Sequence, residues 1–308
     1  MNPERRGEQA GGTLSVFGTG SQIPTLRRGH PGAFLQWHGL GLLIDPGETT
    51  QMRFARSEIP PSRTDVVFIS HLHGDHCLGL PGVLQTLTWH ERIEPLPIFC
   101  PPGGAEYLER LMAGIIWHPG YEYSIHEVES GPFYEAGPLT LCAAPLDHDV
   151  PCIGLQVIER DRWQLDPQSI DELDLKDNPL LSRLVAGESV THRGQLIEPE
   201  QVGSLRRGPR FAYVADTRAC DPALELAADA DLLLIESTYL DEHETQAADH
   251  GHLTARQAAL IARDAGVTRA VLTHFSNRYP DAPVRAQAQG REVFAHVIAA
   301  RDGDVFRF

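Results

Sequence analysis

The chain has 308 residues, a mass of 34.0 kDa and a formal net charge of −16 at pH 7. This acidic balance excludes a general nucleic-acid coat protein, which needs basic surface to displace the counterions of phosphates. It does not exclude an enzyme acting on nucleic acid, because metal ions and local arginines can supply a positive field. No apolar run approaches the roughly 20 residues of a membrane helix. The stretch Met1–Gly12 is polar, so we expect a cytoplasmic protein without a signal peptide.

Short apolar runs that end in polar residues predict buried strands. These runs are Leu14–Phe17, Gly41–Ile44, Val66–Ile69, Phe211–Ala215, Leu232–Ile235 and Ala270–Leu272. Helical patterns lie between some of them, at Gly79–Trp89, Gly104–Ala113, Pro222–Ala228, Ala255–Ala265 and Pro283–Ala300. The uneven alternation of the two patterns predicts an α/β protein.

Residues 156–209 are rich in charged and turn residues and weak in periodicity. They form either an arm inserted into a single domain of residues 1–308 or a few poorly signalled strands and loops. Acidic residues outnumber basic ones in this segment. An acidic arm is poorly suited to binding RNA.

A cluster of potential metal ligands follows the predicted strand Val66–Ile69. The run His71-Leu72-His73-Gly74-Asp75-His76 offers three imidazoles and a carboxylate, which are ligands that zinc prefers. Gly74 permits the backbone angles of a tight turn. The spacing could serve two metals, with His71 and His73 on one and Asp75 and His76 on the other.

Three further candidates follow other apolar runs, namely His148, Asp216 and His274. Polar side chains at the carboxyl ends of strands gather at one edge of an α/β sheet. Four separate segments would therefore converge, which disfavours the alternative of a histidine-rich surface turn. The five cysteines include no CxxC pair, so neither a disulfide framework nor a thiolate metal site is expected.

The His-x-His-x-Asp-His run resembles the signature of the metallo-β-lactamase superfamily. Between Leu14 and Tyr279 the chain resembles, within that superfamily, the ribonuclease Z family of tRNA 3′-processing endonucleases. The segments that carry the resemblance are Phe17–Pro24, Leu43–Glu48, His71–His76 with Gly79–Gly82, Ala215–Arg218, His252–Ala255 and Leu272–Tyr279. The segments beginning at His252 and Leu272 favour ribonuclease Z over the superfamily at large.

The resemblance implies an αββα sandwich, in which two mixed sheets are flanked by helices. It also implies two zinc ions, although manganese or iron can take the same ligands. One zinc ion is assigned to His71, His73 and His148 and the other to Asp75, His76 and His274, with Asp216 bridging them.

Three residues are candidates for catalysis. Asp75 can orient a metal-activated water and accept its proton. His252 can donate a proton to the leaving 3′ oxygen; the alternatives are that it caps the following helix or lies on the surface. Glu236 follows a predicted strand and can hold the His252 ring by a hydrogen bond.

Several other polar residues have two interpretations each. Ser276 and Arg278 bind a substrate phosphate, or Arg278 serves only to stabilise the fold. Arg27 and Arg28 contact RNA or are solvated surface. Asp45 supports the metal histidines or only shapes its turn.

The leading hypothesis is a zinc-dependent endoribonuclease that removes the 3′ trailer from precursor tRNA. By family resemblance it acts as a homodimer. No nucleotide cofactor is expected, since Gly18-Thr19-Gly20 alone is a weak motif that favours a tight turn. The alternative is a small-molecule phosphodiesterase or another metallo-β-lactamase-type hydrolase, which the acidic balance favours. A non-catalytic scaffold is disfavoured by the complete set of ligands.

Overall fold

The computed structural model describes residues 11–308, which form two compact units. The larger unit comprises the described residues up to Val157 together with Arg210–Phe308, and the smaller unit is Ile158–Pro209. Most of the polar stretch on which the expectation of no signal peptide rests lies outside the described residues. Within residues 11–308, every helix is too short or too polar to span a lipid bilayer.

The first sheet of the larger unit has seven strands in the order β18-β1-β2-β3-β4-β5-β6. Strands β18, β1, β2 and β3 pair antiparallel, and β3 to β6 pair in parallel, so the sheet is mixed. The strands are β1 (Thr13–Gly18), β2 (Gly32–Trp37), β3 (Leu40–Ile44), β4 (Val66–Phe68), β5 (Leu96–Cys100), β6 (Tyr123–Glu127) and β18 (Val305–Arg307).

The second sheet also has seven strands, in the order β17-β16-β15-β14-β9-β8-β7. Strands β14 to β17 pair in parallel and β7 pairs antiparallel with β8. The strands are β7 (Gly131–Ala136), β8 (Leu139–Leu146), β9 (Cys152–Glu159), β14 (Arg210–Val214), β15 (Leu232–Glu236), β16 (Ala270–Thr273) and β17 (Val297–Ala299).

Strand β4 shows how the layers pack, because successive side chains of a strand point to opposite faces of its sheet. Val66 and Phe68 join a core cluster that contains side chains of both sheets. Val67 and Ile69 join a second cluster with residues of the helices outside the first sheet. Both faces are therefore buried, and the predicted sandwich of two mixed sheets flanked by helices is confirmed.

Eight helices of the larger unit connect these strands. They are α1 (Thr50–Ser57), α2 (Gly74–Cys77), α3 (Leu80–Trp89), α4 (Gly104–Ala113), α8 (Asp221–Ala227), α9 (Glu244–Asp249), α10 (Ala255–Asp264) and α11 (Ala282–Arg291). The predicted helix Pro283–Ala300 is too long, because α11 ends at Arg291 and β17 follows. The apolar run Val297–Ala299 pairs in parallel with β16 instead of continuing the helix.

The smaller unit, Ile158–Pro209, has a hydrophobic cluster of its own. Its elements are β10 (Arg162–Leu165), α5 (Pro167–Glu172), α6 (Leu180–Val185), β11 (Val190–His192), β12 (Gln195–Ile197), α7 (Pro199–Val202) and β13 (Gly203–Arg206). Strand β10 pairs with β13, and β11 with β12. At its base, the backbone amide of Glu159 donates a 3.0 Å hydrogen bond to the carbonyl of Pro209.

Candidate metal centre

Seven histidine and aspartate side chains of the larger unit gather beyond the ends of its strands. The His71–His76 run follows β4, with α2 beginning at Gly74. Other members lie just after β8, β14 and β16. The seven side chains are those of His71, His73, Asp75, His76, His148, Asp216 and His274, which were the predicted ligands.

The first group of ligand atoms comes from His71, His73, His148 and Asp216, and all lie within 4.8 Å of one another. Nδ1 of His73 lies 3.1 Å from Nε2 of His71 and 3.3 Å from Nε2 of His148. Oδ2 of Asp216 lies 3.6 Å from Nε2 of His71. Three ring nitrogens and one carboxylate oxygen therefore face a common point.

The second group is Asp75, His76 and His274. Nε2 of His76 lies 3.3 Å from Nε2 of His274, which in turn lies 3.4 Å from Oδ2 of Asp75. Oδ2 of Asp216 also lies 3.5 Å from Nε2 of His76. The Asp216 carboxylate therefore lies between the two groups and can contact both.

The chemistry of these donors fits divalent metal ions. Oδ1 of Asp216 is buried and has no hydrogen-bond partner among the described residues. Burial, reinforced by the neighbouring His76, lowers the pKa of His71 well below 6.5. Burial also lowers the pKa of His73. Neutral imidazoles keep the lone pairs that bind metals, and nitrogen and carboxylate ligands suit zinc and related ions.

Asp45 holds two of the ligand rings, one directly and one through Ser70. Its Oδ2 accepts a 2.8 Å hydrogen bond from Nδ1 of His76 and a 2.6 Å bond from the hydroxyl of Ser70. The Ser70 hydroxyl already donates its proton to Asp45. Its oxygen therefore accepts a 3.0 Å hydrogen bond from Nδ1 of His71. Tyr213 also donates to Asp45, at 2.6 Å. Of the two interpretations of Asp45, contact with the metal histidines is the one that the structure supports.

Glu236 likewise holds two histidine rings, one directly and one through a hydroxyl group. Its side chain is buried, and Oε1 accepts a 3.0 Å hydrogen bond from Nδ1 of His252. Oε2 accepts a 2.7 Å bond from the hydroxyl of Thr238, whose oxygen therefore accepts Nδ1–H of His274, also at 2.7 Å. Each of the two buried carboxylates thus holds one histidine directly and another through a hydroxyl group. Such outer contacts fix the tautomer of a ligand ring.

The His252 ring is poised to carry a proton. Burial disfavours the charged ring, but the adjacent Glu236 carboxylate outweighs it and raises the pKa of His252 to about 9. The alternative that His252 caps the next helix is wrong. Helix α10 is capped by Thr254, whose side chain accepts a hydrogen bond from the backbone amide of Gln257.

A cleft of about 470 Å³ opens over the ligands and is lined by His252, Ser276 and Arg278 among others. The exposed Arg278 guanidinium lies 5.4 Å from the ring centroid of Tyr239. Both predicted phosphate contacts therefore reach the same cleft as the ligands and His252.

Arg28 is neither an exposed RNA contact nor solvated surface, so both interpretations are wrong for this residue. It is buried, and its guanidinium donates 3.2 Å hydrogen bonds to the carbonyls of Ser276 and Tyr279. The neighbouring Arg27 is exposed. Arg28 therefore anchors the loop that carries Ser276 and Arg278.

Four residues of the site were not predicted from the sequence. Ser70 and Thr238 each link a ligand ring to a buried carboxylate, and Tyr213 donates a hydrogen bond to one of these carboxylates, as described above. The carbonyl of Gly251 accepts a 2.9 Å hydrogen bond from Nδ1 of His148, and a Cβ at Gly251 would lie 2.6 Å from that nitrogen. The position of Thr238, two residues beyond Glu236 at a strand end, was a signal that could have identified it.

The sequence matches the β-lactamase superfamily domain over residues 41–164 and 189–275. It is 38% identical to ribonuclease Z of Protochlamydia amoebophila over 96% of each chain. It is 40% identical to ribonuclease Z of Streptomyces coelicolor, covering 87% of this chain and 88% of the relative. The structure is similar to that of the short form of human tRNase Z, with a TM-score of 0.70, 25% identity and coverage of 96% of this chain and 98% of that one.

Fold and ligand set together define a hydrolase of the β-lactamase superfamily. The chain belongs to the ribonuclease Z family, whose members are metal-dependent endoribonucleases. The family resemblance that the sequence motifs indicated is thereby confirmed.

Proposed function

We propose that this chain cleaves precursor tRNAs and removes their 3′ trailer, with two zinc ions as cofactors. The observation that carries the proposal is the pair formed by His252 and Glu236 at the edge of the ligand cluster. The His252 ring centroid lies 5.3 Å from that of His148 and 5.5 Å from that of His274. A proton donor beside two groups of metal ligands is what phosphodiester cleavage with an alkoxide leaving group requires.

The proposed ligands follow the two groups of donors. His71, His73 and His148 would hold one ion and Asp75, His76 and His274 the other, and Asp216 would be shared between them. When bound, the two divalent ions would supply a water activated near neutral pH and would neutralise charge on the phosphate oxygens.

The residues of the chain supply the remaining steps. Asp75 orients the attacking water and accepts its proton. His252 donates its proton to the leaving 3′ oxygen, and Glu236 keeps the ring charged and oriented. The tRNA then ends in a 3′-hydroxyl and the trailer begins with a 5′-phosphate.

Substrate positioning is assigned to the loop beyond β16. Ser276 and Arg278 contact the phosphate that is cut or its neighbour, since a guanidinium fork matches phosphate oxygens. The Tyr239 ring beside Arg278 limits the directions that this exposed side chain can take.

The test is incubation of the purified protein and zinc with a 3′-extended precursor tRNA. We expect one cut next to the discriminator nucleotide, with the product ends given above. Hydrolysis of bis-p-nitrophenyl phosphate, together with an intact precursor at micromolar enzyme, would rule out the tRNA substrate.

That second outcome would favour a small-molecule phosphodiesterase with the same two metals. The observation in its favour is the charge pairing in the unit Ile158–Pro209. Arg183 donates to Glu188 at 2.7 Å, and Arg193 donates to Asp174. These arginines are already paired with carboxylates and are less available to phosphates.

The remaining expectations are part of the same proposal. Residues 1–308 form one catalytic domain with 156–209 as an arm, and the enzyme acts in the cytoplasm as a homodimer without a nucleotide cofactor. Light scattering on the purified protein tests the dimer, for which a mass near 68 kDa is expected from a chain of 34.0 kDa. A mass near that of one chain would contradict it.

A further inference from the structure

A second groove, of about 350 Å³, starts next to the metal centre. His73 lines both this groove and the cleft described above, so the two adjoin at this residue. The other lining residues of the groove are Leu72, Pro101, Pro102, Gly103, Gly104, Tyr107, Val150 and Pro151. None of them is an arginine or lysine, so the groove suits an apolar, planar group better than a phosphate.

The His148 ring is a neighbour of both the His252 ring and the His73 ring. The His252 ring centroid is 5.3 Å from that of His148, and the His148 centroid is 5.1 Å from that of His73. The groove begins at His73, whereas His252 lines only the cleft. A strand of RNA that runs from His252 past His148 and His73 therefore meets the groove next.

Tyr107 is the aromatic side chain of the groove. It lies on α4, whose buried residues Leu108 and Met112 face the core, and its own side chain is 61% exposed. The Arg110 guanidinium lies 5.9 Å from the ring centroid, one turn along the helix. An exposed aromatic ring held on a regular helix is a platform on which a nucleic-acid base can stack.

We propose that this groove holds the base of the first trailer nucleotide, stacked on Tyr107. The inference rests on the proposed function, in which His252 protonates the 3′ oxygen of the nucleotide before the cut. The upstream RNA then lies on the His252 side. The nucleotide after the cut keeps the phosphate and continues in the other direction, past His73 and into the groove.

The experiment measures the coupling between Tyr107 and that base. Single-turnover cleavage is compared on two precursor tRNAs, one with a natural base at the first trailer position and one abasic there. For the unmodified protein, we expect the abasic substrate to be cut about tenfold more slowly, within the range of base–aromatic stacking. Tyr107→Ala should show a similar loss on the natural substrate and no further loss on the abasic one.

Two variants serve as controls. Tyr107→Phe keeps the ring and should behave as the unmodified protein does. Trp89→Ala removes an aromatic that is 85% exposed and lines neither the groove nor the cleft, and it should keep the full difference between substrates. Metal content, measured by elemental analysis, should be unchanged in Tyr107→Ala, because Tyr107 is not one of the proposed ligands.

The inference is overturned if Tyr107→Ala cuts both precursors as the unmodified protein does, or keeps the full difference between them. It is also overturned if Tyr107→Ala changes the mass measured by light scattering, because the groove would then bind a second copy of the chain. Failure of the proposed function is distinct, since no precursor tRNA would then be cut by any variant.

Discussion

Nδ1 of His252 donates a 3.0 Å hydrogen bond to Oε1 of Glu236, a carboxylate that is almost fully buried. The same carboxylate accepts hydrogen bonds from the backbone amides of Thr217 and Thr238, both at 3.0 Å. Fixed on several sides, Glu236 can orient the ring and keep it protonated. The proposed role of Glu236 in catalysis is therefore indirect, through His252 and, by way of Thr238, through the ligand His274.

The first prediction concerns this pair. General acid catalysis contributes typically 10²–10⁴-fold, so His252→Ala should slow single-turnover cleavage by about that factor. Glu236→Gln removes the charge that keeps the ring protonated and should also slow cleavage. At saturating zinc, where the support of His274 through Thr238 matters least, the double variant should be no slower than His252→Ala.

Metal content, measured by elemental analysis, is the control for these variants and should be unchanged in His252→Ala. Effects that multiply in the double variant would contradict the indirect role of Glu236. They would indicate that this carboxylate contributes to catalysis or stability independently of His252.

The second prediction concerns Asp45, whose Oδ2 accepts hydrogen bonds from His76, Ser70 and Tyr213. Outer partners of ligand rings typically change metal affinity by 10–100-fold, so Asp45→Asn should weaken metal binding by about that factor. Competition with a chromogenic chelator measures the affinity. Tyr213→Phe leaves the bond to His76 intact and should weaken binding much less. Equal affinities of Asp45→Asn and the unmodified protein would contradict the support of His76 by Asp45.

The third prediction concerns the loop anchored by Arg28. Arg28→Met removes both hydrogen bonds to the carbonyls of Ser276 and Tyr279, and we expect KM for precursor tRNA to rise several-fold. Tm should fall, because a hydrogen bond that involves a charged group contributes about 1.5–3 kcal/mol to stability.

Arg27→Ala is the matched control, as Arg27 is the exposed neighbour. It should keep Tm near that of the unmodified protein. If Arg28→Met lowered Tm but left KM for the precursor unchanged, the loop would not take part in substrate binding.

The fourth prediction is that the bound metals stabilise the fold. Ions that bind only the folded state raise its stability, so dialysis against a chelator should lower Tm and abolish cleavage. Adding zinc or manganese should restore both. Elemental analysis should find about two ions per chain. His148→Ala removes a ligand of one group only and should retain about one ion, whereas Asp216→Ala should weaken both sites. An unchanged Tm after complete metal removal would contradict the prediction.

Local sequence patterns predicted the strands and helices whose buried side chains follow a regular spacing. The six predicted strands match β1, β3, β4, β14, β15 and β16 to within one residue at each end, and the helix at Gly104–Ala113 has the predicted bounds. Strand β17 was missed because Val297–Ala299 continues a helical pattern in the sequence. Only its pairing with β16, through Ala270–Val297 and its neighbours, makes it a strand.

The residues proposed to bind the metals could be predicted from the sequence, whereas the residues that support them could not. Ligands follow strands and are rich in histidine, so they are visible in the sequence. Their supports come from remote segments. Asp45 and Tyr213 are 168 positions apart, and Arg28 is 251 positions from Tyr279. No local pattern reports such pairings, which is why Arg28 was taken for a surface residue.

The hydrogen bond between Glu159 and Pro209 closes the base of the unit Ile158–Pro209. Gly208 is needed there, since a Cβ would lie 2.0 Å from the carbonyl oxygen of Glu159. Strands β9 and β14, which flank the unit in sequence, are also neighbours in their sheet. The 52-residue stretch is therefore an insertion that gene rearrangement or protein engineering could shorten, replace or transfer to another protein. The order of the strands that carry the metal ligands would stay the same.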